Sequence, residues 1–458
     1  MIQCRAGAQV LMPDRATNLD DAWKVFDPRP LEFDQGAASD VASRPDYYTT
    51  PPPAMDGAER RSPDVVGRIT QRLLRGTRDA KVFLSGHVGS GKSTELNRLA
   101  QVPEIRRRFE VLTFRFEAQE WTSLDSSQVL FRLSHELFVH AQRRFPKADL
   151  GNSSKILREL DEVLYGPAGL SSKEGTASAE INLLFFKVRN DLKLTDSFRR
   201  KFRDFGESRR SLLQDLLRYV LEAIEEALLR ETPANAPARE MLVLIDDLDK
   251  VRGPEEQREI FETNLAALLA PRVRIVYTLP TGVLFGENRA EVRALVEHLY
   301  PVRILRKAPE TFVPEDAFDP ERFEFFADAV RKRASEALFA DEAIRLAAVY
   351  SGGVLRDMFH LLRESILIAQ YNSLSDVDVV TVRDAIRAVR LKESAGLYAQ
   401  DITALRNVHL SHELGSVEER RYLDLARVIE CYNDRVWFEA NPLLWSILKP
   451  PARSAGGA

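Results

Sequence analysis

The stretch KVFLSGHVGSGKSTEL, residues 81–96, decides the fold of this chain. Val82, Phe83 and Leu84 predict a short buried strand, and Glu95 to Ala100 continue a helix that opens at the preceding loop. The loop itself fits the spacing G-x-x-x-x-G-K-[ST]. Its glycines let the backbone wrap closely and turn its N–H groups inward, while the following helix adds the positive end of its dipole. The stretch therefore predicts a cradle for phosphate oxygens.

The residue types after the glycines define the ligand further. Lys92 brings a point charge to the β- and γ-phosphates of a nucleotide, and the Ser93 hydroxyl is a ligand for Mg²⁺. The alternative is a chance glycine turn before a helix, but the strand before it and the helix after it favour the nucleotide. The residues predicted to bind the cofactor are Gly86, His87, Val88, Gly89, Ser90, Gly91, Lys92, Ser93 and Thr94.

A second motif, MLVLIDDLDK at 241–250, complements the loop. An unbroken apolar run predicts a central strand of a parallel sheet, and its end presents Asp246 and Asp247 where such sheets bind ligands. Asp246 is placed to hold Mg²⁺ together with Ser93, and Asp247 to orient or deprotonate the attacking water. The alternative is an acidic turn that caps the next helix. Asp249 either caps a helix or supports the metal from outside its ligand shell.

Composition bounds the class of protein. With 458 residues, 44% of them apolar, the chain is expected to form two or three domains. A net charge of -4 excludes a globally basic nucleic-acid binder but leaves room for a local basic patch. Only two cysteines, Cys4 and Cys431, occur, which favours a reducing cytoplasmic location. No apolar run reaches the ~20 residues of a membrane span, and the first residues lack the pattern of a secretory signal.

The order of predicted elements indicates an α/β core followed by helices. Strands at 82–84, 111–116, 241–245 and 273–279 alternate with helices, which is typical of a parallel sheet flanked on both faces. Four helices then follow between 320 and 393, and later a hairpin with a turn at Asn433-Asp434. The predicted segments are an irregular extension at 1–57, a core at 58–308 with a helical insertion at about 145–235, a helical lid at 309–393, a winged-helix-like domain at 394–450 and a disordered tail at 451–458.

The two phosphate motifs resemble those of the additional-strand P-loop ATPases, the AAA+ proteins and the related STAND class. The run "hhhhDDLD" is similar to that of STAND and origin-recognition-type initiator ATPases. The resemblance implies a three-layer αβα core, a helical lid and a winged-helix-like end. Many AAA+ proteins carry Asp-Glu where this chain carries Asp246-Asp247, and the shorter side chain leaves the hydrolysis rate open.

The resemblance also implies two sensors of the γ-phosphate. Thr278, with Thr281 as the alternative, stands at the polar sensor position, and a β-branched residue in a buried strand is the other interpretation. Arg356, in YSGGVLRDMFHLLRESI at 350–366, stands where the lid arginine contacts phosphates, with an ordinary surface charge as its alternative. Candidates for an arginine reaching a neighbouring subunit are Arg289, Arg293 and Arg303, each of which also fits a surface charge.

Two segments carry weaker signals. Asp64 to Arg68 resembles the segment that lies beside adenine in this class, while core packing explains its valines equally well. The segment 197–210 interleaves basic residues with Phe198, Phe202 and Phe205, which suits a nucleic-acid backbone, although an amphipathic helix covering its own core is favoured. Trp437 and Trp445 are expected in the core of the last domain, and the histidines show no metal-ligand spacing.

The expected function is a Mg-dependent ATPase with ATP as the default nucleotide, since no Asn-Lys-x-Asp guanine selector occurs. Three roles remain open: a switch that controls a partner protein, as in bacterial anti-phage systems; a DNA-engaging initiator or loader acting through the winged helix; and a scaffold that binds nucleotide without hydrolysis. Homo-oligomers are compatible with each. No nuclease, protease or TIR-like block is evident, so a switch needs an external effector.

Overall fold

The computed structural model describes residues 15–31, 44–52, 64–121, 124–166, 177–233, 235–251, 253–285, 289–416, 418–433 and 435–450. The strands are β1 Lys81–Gly86, β2 Phe109–Arg115, β3 Glu240–Asp246, β4 Arg274–Leu279, β5 Val296–Leu299, β6 Val428–Asn433 and β7 Arg435–Ala440. The helices are α1 Leu19–Val25, α2 Val65–Arg75, α3 Lys92–Gln101, α4 Pro103–Arg108, α5 Ser126–Arg144, α6 Gly151–Tyr165, α7 Ala177–Leu194, α8 Asp196–Ser208, α9 Arg210–Glu231, α10 Pro254–Arg258, α11 Leu265–Leu269, α12 Arg289–Leu295, α13 Phe323–Arg331, α14 Asp341–Tyr350, α15 Leu355–Tyr371, α16 Val379–Ser394, α17 Ala399–Ser411, α18 Arg421–Asp424 and α19 Trp445–Leu448.

The chain forms two compact units. The sheet unit comprises Val65–Ser85 and Leu99–Glu297, and the loop unit comprises Met1–Asp64, Gly86–Arg98 and His298–Ala458. Strands β3 and β4 and the acidic motif belong to the sheet unit, whereas the glycine loop, the helices α13 to α16 and the C-terminal hairpin belong to the loop unit.

A five-stranded sheet with the order β2-β3-β4-β1-β5 forms the α/β core that the sequence predicts. Strand β1 runs parallel to β4, with Leu84 opposite Thr278, and β3 runs parallel to β4 and to β2. Every residue of β1 and β4 is buried. Strands buried on both faces need helices on both sides, which explains why they read as apolar runs in the sequence. The carboxyl ends of β1, β3 and β4 therefore lie at one edge of the sheet.

The helices of the sheet unit share one apolar core with its strands. The amphipathic helices α5, α6 and α9 contribute side chains such as Leu133, Leu157 and Val220, which pack with Phe83 and Tyr277 of the sheet. Helices also fill the segment where the sequence predicts a helical insertion, as α6, α7, α8 and α9. Between β3 and β4, a π-helical turn over Glu259–Thr263 separates α10 from α11.

The N-terminal segment differs from the irregular chain that the sequence predicts for 1–57. Residues Leu19–Val25 form α1, whose first turn is capped by Asn18, with its side chain accepting the N–H of Asp21. Three residues of α1 are buried, and Phe26 packs edge-on against Phe339, with ring centroids 5.3 Å apart. The apolar spacing of this short helix is hidden in a segment rich in Pro and Asp, because tertiary packing rather than propensity stabilises it.

The C-terminal part of the loop unit contains the predicted helices and hairpin. Four helices, α13 to α16, occupy the segment predicted to be a helical lid, with α16 ending one residue beyond it, and Gly352 and Gly353 separate α14 from α15 with positive φ angles of 61° and 88°. Strands β6 and β7 pair antiparallel, with Cys431 opposite Trp437, and β7 contacts α17. Trp437 and Trp445 are buried, as predicted. The tail at 451–458 lies outside the described residues.

Among the residues that the structure describes, no helix combines the length and the apolar character that crossing a bilayer requires.

Candidate functional site

The glycine loop adopts a tight, inward-turned backbone between β1 and α3. The N–H of Ser90 donates to the carbonyl oxygen of His87 at 3.0 Å, which closes the first turn. Gly89 and Gly91 have φ angles of 87° and 103°, a region that side-chain-bearing residues rarely adopt. Lys92 then begins α3, whose first N–H groups have no acceptor within the helix. The backbone thus presents the donors that a phosphate group requires.

Lys92 lies across this loop, with only 5% of its surface exposed. Its Nζ donates to the carbonyl oxygens of Gly86 at 2.7 Å and His87 at 3.1 Å. A buried ammonium group is tolerable only when its N–H donors are satisfied, and the loop's own carbonyls do so. The contacts keep the charge at the loop, where a phosphate ligand would meet it.

Arg356, the predicted lid sensor, lies beside the loop in the same unit. A Cβ atom placed on Gly89 would sit 3.0 Å from Arg356 Nε and 2.9 Å from Val354 Cγ1. The guanidinium is partly exposed and contacts its neighbour Asp357, with both Nε and Nη2 at 3.4 Å from Oδ1. Gly89 thus allows Arg356 of α15 to approach the glycine loop, and the role of Arg356 as a sensor stays a prediction.

His87 joins the loop to the C-terminal hairpin. Its Nδ1 lies 2.7 Å from the carbonyl oxygen of Val88, and its Nε2 lies 3.2 Å from that of Val428 in β6. Burial lowers the pKa of His87 to about 4, and the charges of Lys92 and Arg356 act in the same direction. The imidazole is therefore neutral at pH 7, and only one of the two carbonyls receives an N–H.

Residues of the N-terminal extension contact the side chains of α3 that follow Lys92. The Thr94 hydroxyl accepts the N–H of Leu31 at 3.2 Å, and Asn97 donates to the carbonyl oxygen of Leu31 at 2.9 Å. At the residue after Thr94, the Tyr48 hydroxyl donates to Glu95 at 2.9 Å. Thr94, which the sequence assigns to the cofactor, therefore anchors the N-terminal chain, while the half-buried Ser93 precedes it in α3.

The acidic motif ends β3 in the sheet unit. Asp246 is opposite Arg115 of β2, and its Oδ1 accepts the N–H of Asp247 at 2.8 Å. Asp247 takes a left-handed conformation with φ 67°, and its Oδ1 pairs with Lys250 Nζ at 2.6 Å. The ammonium of Lys250 also lies 4.8 Å from the centre of the Trp121 ring. Asp247, the predicted water-orienting residue, thus shares its carboxylate with a neighbouring cation.

Three carboxylates gather at this strand end. One oxygen each from Asp246, Asp247 and Asp249 lies within 4.8 Å of the others. Such a group of hard oxygen donors suits Mg²⁺, which binds proteins through one or two carboxylates and keeps several waters. The residues present therefore fit the ion that the sequence implies, with Asp246 as the predicted ligand.

Thr278 supports the acidic turn from β4. It is fully buried, and its hydroxyl oxygen accepts the N–H of Leu248 at 3.0 Å and lies 3.4 Å from the N–H of Asp249. These contacts fix the backbone that carries the carboxylates, a positioning role that the sequence did not indicate. The alternative sensor, Thr281, is also buried, and its hydroxyl has no hydrogen-bond partner among the described residues.

The remaining sequence candidates divide between core and surface. Val65 and Val66 are buried, Phe202 and Phe205 of α8 pack into the apolar core, and Phe198 stacks on Tyr165 at 5.5 Å. The aromatic residues of 197–210 thus cover the core of their own unit, as the favoured interpretation has it. Among the arginines proposed to reach a neighbour, Arg303 pairs with Asp319 at 2.8 Å, Arg293 is exposed and Arg289 begins α12.

Sequence reasoning missed three residues around these motifs. Lys250 follows Asp247 by three positions, a spacing at which a turn brings side chains together, so this pair could have been found. Two other contacts, of His87 with Val428 and of Thr94 with Leu31, join segments distant in sequence, and no local sequence pattern predicts them.

Known structures provide the last comparison. No family model matches the chain, and no curated protein sequence matches it. The structure is similar to that of the Aeropyrum pernix ORC2 protein in ADPNP-ADP complexes, at 12% identity and a TM-score of 0.41, over 89% of this chain and 95% of that one. It is also similar to Drosophila ORC bound to DNA (12%, 0.37, covering 97% and 96%) and to the Walker-type ATPase PABY2304 of Pyrococcus abyssi (13%, 0.38, covering 93% and 99%). At such identities the activity has to be argued from this chain's own residues.

Proposed function

We propose that this chain binds Mg-ATP and hydrolyses it slowly, as a switch that controls a partner protein. The observation that carries the proposal is the glycine loop, in which Gly89 and Gly91 hold left-handed turns before an α-helix that begins with a buried lysine. This combination of donors and charge is what the phosphates of a nucleotide require.

Each residue has a distinct role in the proposed reaction. Lys92 exchanges its loop carbonyls for the β- and γ-phosphates, and the first amides of α3 bind the same oxygens. The oxygen donors proposed for Mg²⁺ are the Ser93 hydroxyl of the loop unit and the Asp246 carboxylate of the sheet unit, and the ion when bound would neutralise charge on the phosphates. Asp247 orients the attacking water, and Lys250 holds its carboxylate in place. Thr278 fixes the turn that carries these acids.

The contacts of the glycine loop provide a route by which nucleotide binding would change the structure elsewhere in the loop unit. Arg356 places α15 against Gly89, and His87 contacts Val428 at the start of β6. Phosphates that attract Lys92 and Arg356 would change the contact of α15 with Gly89 and that of His87 with Val428. Through Val428 the change would shift the hairpin β6–β7. The effector would be a separate protein, and a bacterial anti-phage system is the setting that the sequence resemblance suggests.

The test measures phosphate release at saturating Mg-ATP by the wild type and by Asp247→Asn. We expect release to fall about 100-fold or more in the variant, because a general base or water-orienting group contributes about that factor, while ATP affinity is retained. Asp376→Asn, at an exposed position far along the chain, is the matched control. Absence of release from the wild type would establish the non-hydrolysing scaffold, and equal release from Asp247→Asn would refute the assigned role.

A second candidate function is binding of duplex DNA by the C-terminal domain. The antiparallel hairpin β6–β7 beside α17 favours it, since a helix with a two-stranded wing is a common DNA-binding arrangement. Affinity for duplex DNA should then fall steeply as salt rises, because counterions are released on binding. Binding that does not depend on salt, or no binding at low salt, removes this candidate.

A further inference from the structure

A pocket in the sheet unit is lined by none of the residues assigned above, although the N–H of its wall residue Phe116 donates to the carbonyl oxygen of Asp246 at 3.4 Å. Its walls come from the segment after β2 and from the helices α5 and α7. Its enclosed part is small, about 20 Å³, and the rest of the pocket is open to solvent. One side is apolar, with Phe116, Phe131 and Leu192, and the other carries Arg132 and Arg189. Pockets that combine apolar walls with a few convergent polar groups are typical ligand sites.

Arg132 of α5 is the unusual member of this pocket. Only 9% of its surface is exposed, and its Nη2 pairs with Glu136 at 2.9 Å. Its Nε and Nη1 are buried and have no hydrogen-bond partner among the described residues. A buried donor without an acceptor costs about 1–3 kcal/mol, and more when it carries charge. Burial accordingly lowers the pKa of Arg132, despite the nearby carboxylates.

The acids around the pocket do not supply the acceptors that Arg132 needs. Arg189 pairs with Glu117 and lies 3.5 Å from Glu120, whose other oxygen accepts the N–H of Glu117 at 2.6 Å. Burial and the adjacent arginines lower the pKa of His135 to about 3, so its imidazole is neutral at pH 7. Glu117 and Glu120 are thus used by Arg189 and by their own turn.

We propose that this pocket binds a small organic oxyanion, a carboxylate or a phosphate on a short apolar body. The oxygens would accept from Nε and Nη1 of Arg132, and the apolar body would pack on Phe116, Phe131 and Leu192. Arginine suits this task because its donors are fixed in a plane that matches carboxylate and phosphate oxygens. The site does not depend on the phosphate loop or on the proposed ATPase activity.

The probes are benzoate and phenyl phosphate, titrated into the full-length protein and followed by ligand-observed NMR, with benzyl alcohol as the neutral control. Phenyl phosphate is tested on Lys92→Ala, so that the glycine loop does not compete. We expect at least one anion to bind, and Arg132→Met to weaken it about tenfold or more, since a charge-assisted hydrogen bond contributes about 1.5–3 kcal/mol. Binding of benzoate alone identifies a carboxylate site, and binding of phenyl phosphate alone a phosphate site.

Two further variants keep the test independent of folding. Leu192→Phe fills the pocket without changing charge and should weaken the same anion, whereas Arg143→Gln, at an exposed position of α5, should leave its affinity unchanged. Benzyl alcohol binding as tightly as the anions would overturn the proposal. So would anion affinities that are equal in the wild type, Arg132→Met and Leu192→Phe, or no binding of either anion up to about 10 mM, a level that detects even very weak ligands.

Discussion

Lys92 in the glycine loop and Arg132 in the α5–α7 pocket are both buried cations, but their donors are satisfied differently. Lys92 is 5% exposed and donates to two carbonyl oxygens of its own loop, whereas Arg132 is 9% exposed and leaves two nitrogens without acceptors among the described residues. The loop is thus complete before any ligand arrives, and its lysine must exchange partners to bind phosphate. The pocket instead has donors that no group in the described part of the chain accepts. Sequence motifs identify the first kind of site, and only the folded structure reveals the second.

The largest expected effect tests the loop side of this comparison. Lys92→Ala should raise the Kd for Mg-ATP about 100-fold or more, because the lysine makes two or more charge-assisted hydrogen bonds of about 1.5–3 kcal/mol each to phosphate. Calorimetry measures the Kd, with the exposed Lys147→Ala as the control. A variant that stays folded and binds ATP as tightly as the wild type would show that Lys92 serves only its own loop.

A second prediction compares satisfied and unsatisfied cations within the sheet unit. The ammonium of Lys81 is buried and donates to the carbonyl oxygens of Asp79, Pro271 and Val273 at 2.5, 2.8 and 3.1 Å. Lys81→Met should lower the free energy of unfolding by about 3 kcal/mol, because the buried carbonyl oxygens of Pro271 and Val273 lose their donor. Arg132→Met should change it by less than about 1 kcal/mol, because removing two buried donors without acceptors offsets the loss of the contact between Nη2 and Glu136.

Urea unfolding at pH 7 without added anions measures both free energies. If Arg132→Met destabilises the protein as much as Lys81→Met does, Arg132 contributes a structural contact of its own, and the contrast between the two kinds of cation fails.

The smallest expected effect concerns acid stability. The pKa of His87 is about 4 in the folded protein, below its ordinary 6.5, so between these values the unfolded chain binds a proton that the folded chain does not. Stability contributed by His87 is therefore present above pH 6.5 and is lost as pH falls towards 4. At pH 5 the loss is about 2 kcal/mol.

His87→Gln should therefore lose about 2 kcal/mol less stability than the wild type between pH 7 and pH 5, with the exposed His360→Gln as the control. Urea unfolding at the two pH values provides the comparison. Identical losses in wild type and His87→Gln would mean that the ring takes up its proton without disturbing the loop.

The sequence predicts the parts of the fold whose signals are local. Strand β3 contains an unbroken apolar run, β1 and β4 contain shorter ones, and the loop is a contiguous motif, so all of them could be predicted from a short window. Strand β5 was missed because Glu297 and His298 interrupt its apolar pattern. Glu297 is nevertheless buried, since Arg68 and Arg72 pair with it at 2.6 and 2.5 Å. Such compensation depends on a helix far away in sequence.

The candidate site shows the same division. The identity of Lys92, Asp246 and Asp247 follows from spacing, but their hydrogen-bond partners do not. That Thr278 holds the turn after β3 depends on the pairing of β3 with β4, which brings residues thirty positions apart into contact. The α5–α7 pocket has no motif at all, because its arginines come from separate helices and their unsatisfied donors are a property of packing.

The left-handed backbone at Asp247 also bears on which acids this position accepts. Aspartate tolerates a φ of 67° better than longer side chains do, since its carboxylate can bond locally to the backbone. A glutamate there, as many AAA+ proteins carry, would add conformational strain of about 1 kcal/mol and lose the short reach to Lys250. The shape of the turn thus selects the residue, and an exchange aimed at faster turnover would first have to reshape the main chain.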